Sequence, residues 1–218
     1  MIPLSDASRQ PRQFPAVTTA IILVNVFVFV LELMGGEEFV RQWSAIPADI
    51  VAGNHWINIV TAMFMHGGWM HILGNMVFLW AFGPGIEDAM GPLRYLAFYM
   101  LSGLAASMAQ IAVMPSSTVP TLGASGAIAG VMGAFIITFP RDQIRTLLFL
   151  GWFTRITVIP AALLIGLWFL SQLFSQVGAV ADVQTGGVAY MAHVGGFIFG
   201  AVTGRIFEGS RRIAEERS

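Results

Sequence analysis

The stretch 120-PTLGASGAIAGVMGAF-135 decides how this chain is read. It is apolar enough for the interior of a membrane helix, yet it crowds small residues around one hydroxyl. Ser125 has Gly123 two residues before it and Gly126 directly after it. A serine in such a helix ordinarily bonds its own backbone or joins one helix to another. Chemistry at Ser125 therefore depends on whether the rest of the chain brings a base to it.

Composition sets the surroundings of that serine. Hydrophobic residues make up 56% of the 218 and charged residues 11%, and the mean hydropathy is +0.74. Soluble domains carry roughly a quarter charged residues, so the balance implies an integral membrane protein. Charge-free runs cover 13–31, 50–86, 95–140, 156–181 and 183–204, and a bilayer core needs about 20 apolar residues per helix. Two of the runs exceed one helix. In 50–86 the part before Gly67-Gly68 is mixed and His-bearing, which leaves a span at 69–86. In 95–140 the segment MPSSTVPTLG, with two prolines, interrupts any helix.

Six spans are thus expected, at about 15–34, 69–86, 93–113, 124–140, 156–177 and 187–207. The expected fold is all-α, a six-helix polytopic membrane bundle in one domain (15–207), with tails at 1–14 and 208–218. The opening MIPLSDASRQPRQ is polar and the first span shows no convincing cleavage site, so no signal peptide is expected. The absence of cysteine excludes disulfides and any thiolate nucleophile or ligand. A net charge of −1 argues against a nucleic-acid partner, and nothing in the sequence calls for a cofactor or metal.

Arginine sets the expected orientation, because there is no lysine. Six spans leave both termini on one side, and every arginine except Arg41 falls on that side. The positive-inside rule then places both termini in the cytoplasm, with a multi-pass protein of the cell membrane as the expected location.

In that topology the second, fourth and sixth spans all enter from the outer side. His71 and Asn75 lie near the start of the second, Ser125 at the start of the fourth, and His193 about six residues into the sixth. Three helices carry their few polar side chains to one layer. The fourth is short: Ser125 to Pro140 spans roughly 24 Å against a hydrocarbon core of about 30 Å. Its outer end is expected below the membrane surface, with residues 114–124 dipping in around a wet pocket. Gly126, Gly130 and Ala134 repeat at four-residue spacing, as do Gly196, Gly200 and Gly204. Such small-residue ridges let membrane helices approach closely. His193 lies three residues before Gly196, so its side chain is carried toward Ser125.

Four motifs now stand together: HGGWMHILGN (66–75), GPGIEDAMG (83–91), GASGAIAG (123–130) and AHVGGFIFG (192–200). In this order the chain resembles the rhomboid intramembrane serine proteases, from the first span to the last. The resemblance implies that Ser125 is the nucleophile and His193 the general base, and that His71, Asn75 and the Ser125 N–H stabilise the oxyanion. It also implies single-pass transmembrane substrates, cut at or just below the outer surface after a small residue such as alanine.

The residues agree with that chemistry. A serine hydroxyl is a weak nucleophile until a base takes its proton, and imidazole is the usual partner. The fourth span has no acidic residue, and the acid nearest His193 in sequence, Asp182, lies outside the sixth. A Ser–His dyad is expected rather than a triad. His71 and Asn75 are one turn apart on one helical face, so both can aim donors at one oxygen. His66 is expected to bond loop backbone and Glu87 to tie down a loop. Two positions depart from the family: Trp56 is followed by Ile57 and Asn58 where members often carry Trp-Arg, and Ala129 stands one turn after Ser125 where some carry an aromatic against the histidine. Another group must then orient His193.

Other classes fit less well. A zinc protease needs a helix such as H-E-x-x-H, and HGGWMH has no glutamate. A transporter would show internal repeats. A non-proteolytic rhomboid-like protein that binds membrane clients is the alternative; such relatives typically lose the serine or the histidine, and this chain keeps both.

Overall fold

Proline and glycine punctuate the helices of the computed structural model, which describes residues 1–151, 153–181 and 189–209. Helix α1 (Ala16–Trp43) starts directly after Pro15 and is broken at Gly36, where φ is +62° and ψ is −155°. The apolar part therefore ends close to the expected residue 34. Helix α4 (Trp69–Met90) follows the Gly67-Gly68 pair, and Gly91 separates it from α5 (Pro92–Val113), which opens on a proline. Between α1 and α4 lie two short helices, α2 (Pro47–Val51) and α3 (Asn58–Thr61), and a 3₁₀ turn at residues 62–64.

Glu87 is the fastening between α1 and α4. Its carboxylate accepts the backbone N–H groups of Val17 (2.9 Å) and Thr18 (2.8 Å) and the Thr18 hydroxyl (2.7 Å). A carboxylate so placed satisfies orphan donors at the start of α1 and complements its dipole. The residue caps a helix rather than a loop.

Helix α6 (Ser125–Thr138) has 14 residues, or roughly 21 Å. The chain that leads into it is pinned to the segment before α4. Ala45 and Thr121 exchange two backbone hydrogen bonds (3.0 and 2.8 Å), Ala48 N–H reaches Ser117 O (3.0 Å), and Gly123 N–H reaches Ala62 O (2.8 Å). These main-chain bonds fasten the loop to the protein at Ser117, Thr121 and Gly123.

The all-α expectation needs a correction. Strands β1 (Ile2–Asp6), β2 (Gln143–Leu150) and β3 (Phe153–Pro160) form an antiparallel sheet in the order β1-β2-β3. Strands β2 and β3 form a hairpin pairing Gln143 with Pro160 and Leu150 with Phe153, while β1 pairs Ile2 with Leu147 and Asp6 with Ile144. Branched and aromatic residues fill QIRTLLFL and FTRITVIP, and Ile144 and Thr146 alternate into the interior, which is strand chemistry. The fifth helix consequently starts at Ala161, as α7 (Ala161–Ala181), and not at 156. Residues of the expected N-terminal tail supply β1 and, through Arg9, an ion pair with Asp142 beside the Phe139 ring.

Helix α8 (Tyr190–Phe207) packs flush against α6 along the two small-residue ridges. A Cβ on Gly196 would lie 3.0 Å from the Gly126 carbonyl carbon, and one on Gly200 would lie 2.6 Å from that of Gly130. Around this pair the core is aromatic: Tyr95, Phe98 and Tyr99 of α5, Phe82 of α4 and Phe135 of α6 are fully buried. Among the described residues, α1 and α5 are long and apolar enough to cross a membrane, and Ser125–Thr138 and Ala161–Gln172 are shorter apolar helices. The start of the expected sixth span (187–188), Asp182 and the C-terminal residues 210–218 lie outside the described residues.

Candidate active site

Ser125 is the first residue of α6, where backbone N–H groups have no partner within the helix. His193 lies in the first turn of α8, nearer the helix start than the sequence suggested because α8 begins at Tyr190. The glycine ridges hold the two helix ends together, and Ser125 Oγ stands 2.7 Å from His193 Nε2. The other ring nitrogen, Nδ1, stands 2.6 Å from Oε1 of Gln172 on α7. The Trp168 ring, one turn earlier on α7, lies 5.6 Å from the His193 ring.

His71 approaches from α4. The Gly67 N–H donates to its Nδ1 (3.3 Å), so the proton of the neutral ring sits on Nε2. That Nε2 faces Gly123. A Cβ on Gly123 would lie 2.9 Å from His71 Nε2 and 3.4 Å from Ser125 Oγ, and the residue's φ of +130° itself calls for glycine. Ser125, His193 and His71 therefore converge on one small space.

Asn75, one turn along α4 from His71, is buried. Its Nδ2 has no hydrogen-bond partner among the described residues. A buried amide donor without a partner calls for an explanation, and here it lies one turn from His71 on the same helix. Beside Ser125 lies a cavity of about 20 Å³, walled by Met63, Gly103, Ala106, Gly126, Ala189 and Ala192. That is space for about one water-sized group.

A family model described as rhomboid domain matches residues 53–209, which include every residue of this site. The chain belongs to the rhomboid family. It is similar to the mitochondrial Rhomboid protein 1 of Saccharomyces cerevisiae, 30% identical over 196 residues that cover 85% of this chain and 51% of that protein. The rhomboid protease GluP of Bacillus subtilis is 30% identical over 190 residues, covering 85% of this chain and 34% of GluP. The putative rhomboid protease YdcA of the same bacterium is 33% identical over 136 residues, 61% of this chain and 68% of YdcA. The chain thus spans about half the length of the first relative and about a third of the second.

Within this rhomboid-family site, sequence reasoning missed Gln172, Ser171 and Trp168. Ala129 is fully buried, and ring contacts to His193 come from Trp168 on α7 (5.6 Å) and from Tyr190 on α8 (6.5 Å, edge-on). The available signal was the Ser-Gln pair inside the apolar run LIGLWFLSQLF, since polar groups at such depth need partners. His66 is 2% exposed, with its ring 5.2 Å from that of His71 and 6.5 Å from that of Phe29. Its backbone N–H is bonded to the Glu32 carboxylate at 3.0 Å. A larger cavity of about 590 Å³ opens at the opposite end, between the N-terminal segment and α4, and includes none of these residues.

Proposed function

We propose that this chain is an intramembrane serine endopeptidase working through a Ser125–His193 dyad. The observation that carries the reading is the 2.7 Å approach of Ser125 Oγ to His193 Nε2 at the abutting ends of two helices. Geometry of this kind is what general-base activation of a serine requires.

In the proposed cycle His193 Nε2 accepts the Ser125 proton as Oγ attacks the scissile carbonyl. The carbonyl oxygen becomes an oxyanion held by the Ser125 N–H, His71 Nε2–H and Asn75 Nδ2–H. His193 then returns its proton to the departing amine, leaving an acyl-enzyme on Ser125. Water, deprotonated by the same imidazole, hydrolyses it and restores the dyad. Preorganised donors in a pocket shielded from bulk water act most strongly where charge develops.

Helices α1, α4, α5, α6, α7 and α8 are read as six membrane spans with both termini cytoplasmic, in the cell membrane, which sets the site near the outer face. Arginine distribution supports the orientation. The substrate is a single-pass membrane protein whose segment leaves its helix to be cut, because helical carbonyls are already hydrogen-bonded. The narrow cavity beside Ser125 favours a small residue on the acyl side of the cleaved bond.

The test is reaction with a fluorophosphonate together with cleavage of a model transmembrane substrate, compared among the parent, Ser125→Ala and His193→Ala. Labelling and cleavage in the parent, and neither in the two variants, is the expected result. A folded parent that neither labels nor cleaves would move the chain to the client-binding, non-proteolytic class. Cleavage by Ser125→Ala would assign the chemistry to another residue.

A further inference from the structure

The protons around His193 can be assigned one by one, starting from Ser171 on α7. The Ser171 hydroxyl donates to the Trp168 carbonyl at 2.6 Å. With its only proton committed there, Ser171 Oγ can only accept, and it accepts from Gln172 Nε2 at 3.1 Å. That contact turns the carboxamide so that Oε1, and not the NH₂ group, faces the imidazole. Oε1 has no proton, so His193 Nδ1 must be the donor across the 2.6 Å contact. A neutral imidazole protonated at Nδ1 has a free lone pair at Nε2, the atom that meets Ser125 Oγ.

We propose that Gln172 is the positioning residue of this site: its side-chain carbonyl holds His193 in the tautomer and ring orientation in which Nε2 can take the Ser125 proton, and Ser171 sets which way that carbonyl points. The inference rests on the dyad proposed above and extends it to a chain running Ser125, His193, Gln172, Ser171 and the Trp168 carbonyl. Gln172 does for this histidine what a carboxylate does in a triad, but without charge, so no second buried ion is needed within the apolar helices. The direction of the amide is the sensitive point. Were Gln172 to flip, its NH₂ would donate to Nδ1, the ring proton would move to Nε2, and the base would be lost.

The chain makes an unusual ordering of variants. Gln172→Met keeps volume and removes the acceptor. Gln172→Glu keeps the acceptor and, with two equivalent oxygens, no longer needs Ser171 to orient it. Measured as kcat and KM separately on the full-length protein, with the fluorophosphonate rate alongside, Gln172→Met should lower kcat by about 10²-fold with KM little changed. Ser171→Ala should lower kcat by roughly tenfold in the parent background and have no effect in the Gln172→Glu background. A residue that merely packs α7 against α8 would give the opposite order, with Met tolerated, Glu damaging and Ser171→Ala equal in both backgrounds. Should Gln172→Glu fail to fold, the kcat of folded Gln172→Met still decides, and a value within about threefold of the parent overturns the inference. That outcome, in a parent that labels at Ser125, leaves the dyad standing; a parent that does not label removes the dyad itself.

Discussion

Gly200→Ala is the perturbation that most directly probes how the site is held. Gly200 lies two turns along α8 from His193 and touches no substrate-facing atom in the proposed cycle. Its added methyl would lie 2.6 Å from the Gly130 carbonyl carbon, and closer still to the carbonyl oxygen. Non-bonded carbons rest at about 3.5–4.0 Å, so the two backbones must part by about 1 Å. The obstacle is main chain in the middle of α6, which cannot rotate aside as a side chain would.

Displacing α8 by that amount stretches the Ser125–His193 contact from 2.7 Å to roughly 3.7 Å, beyond hydrogen-bond reach. A misplacement of this size costs on the order of 10²-fold in rate. Gly166→Ala is the matched control, because a methyl on that α7 glycine meets nothing within 4 Å. In detergent or liposomes, Gly200→Ala should show kcat and fluorophosphonate labelling lowered together by about 10²-fold, with Gly166→Ala near parental. Parental turnover by a folded Gly200→Ala would refute the close helix contact as the element that aligns the dyad.

Three further outcomes are expected. Asn75→Ala should lower kcat by roughly 10²–10³ and leave KM nearly unchanged, as loss of one oxyanion donor does; a change in KM alone would make Asn75 a packing residue. Met63→Ala, which opens the wall next to Gly103, should relax the proposed preference for a small residue at the cleavage site, raising kcat/KM for a leucine substrate relative to an alanine one by roughly tenfold. His66 should make the fold acid-sensitive: burial, reinforced by the neighbouring His71, pushes its pKa from 6.5 down to about 3. The neutral ring is favoured in the folded state, so stability is intact above about pH 6.5 and declines as pH falls from there toward 3. Thermal melts at pH 7.5 and 4.5 should show a smaller loss for His66→Asn than for the parent, and an equal loss would exclude His66 as the group responsible.

What could be read from the sequence and what could not divide along physical lines. Apolar length and glycine spacing act locally and uniformly, so the breaks before α4 and α6 and the meeting of Ser125 with His193 were legible. The sheet was not. Its strands come from the polar first residues and from a stretch whose right half, ITVIP, is as apolar as the helix it precedes, so hydropathy merged β3 into the fifth span. Only the pairing of Gln143–Leu150 with Phe153–Pro160, a non-local event, distinguishes the two. Gln172 was hidden for a similar reason. Its distance from His193 in sequence is 21 residues, and nothing in either local pattern says that one turn of α7 meets the first turn of α8.

The helices that carry the site are therefore held by different means. Ser125 and His193 ride on α6 and α8, whose main chains touch through paired glycines, an arrangement that leaves no room for a side chain to adapt. His71 is fixed from α4 by Gly67 and by the close approach of Gly123. Helix α7 is tied at its start by the Ala161 N–H to Asp142 O (2.8 Å) and by buried Ile165, and it meets α8 through the stack of Phe169 on Phe197 (4.3 Å) and the Trp168 and Gln172 contacts to His193. Main-chain contacts between close-packed helices deform little, whereas side-chain contacts can re-form after a small shift of one helix. In the proposed dyad, Ser125 and His193 are thus locked in mutual distance, while the tautomer assigned to His193 depends on side-chain contacts from α7. A shift of α7 alone would disturb the 2.6 Å contact at Nδ1 before the 2.7 Å contact at Nε2, so under the proposed mechanism its first effect is expected on proton transfer and not on the fold.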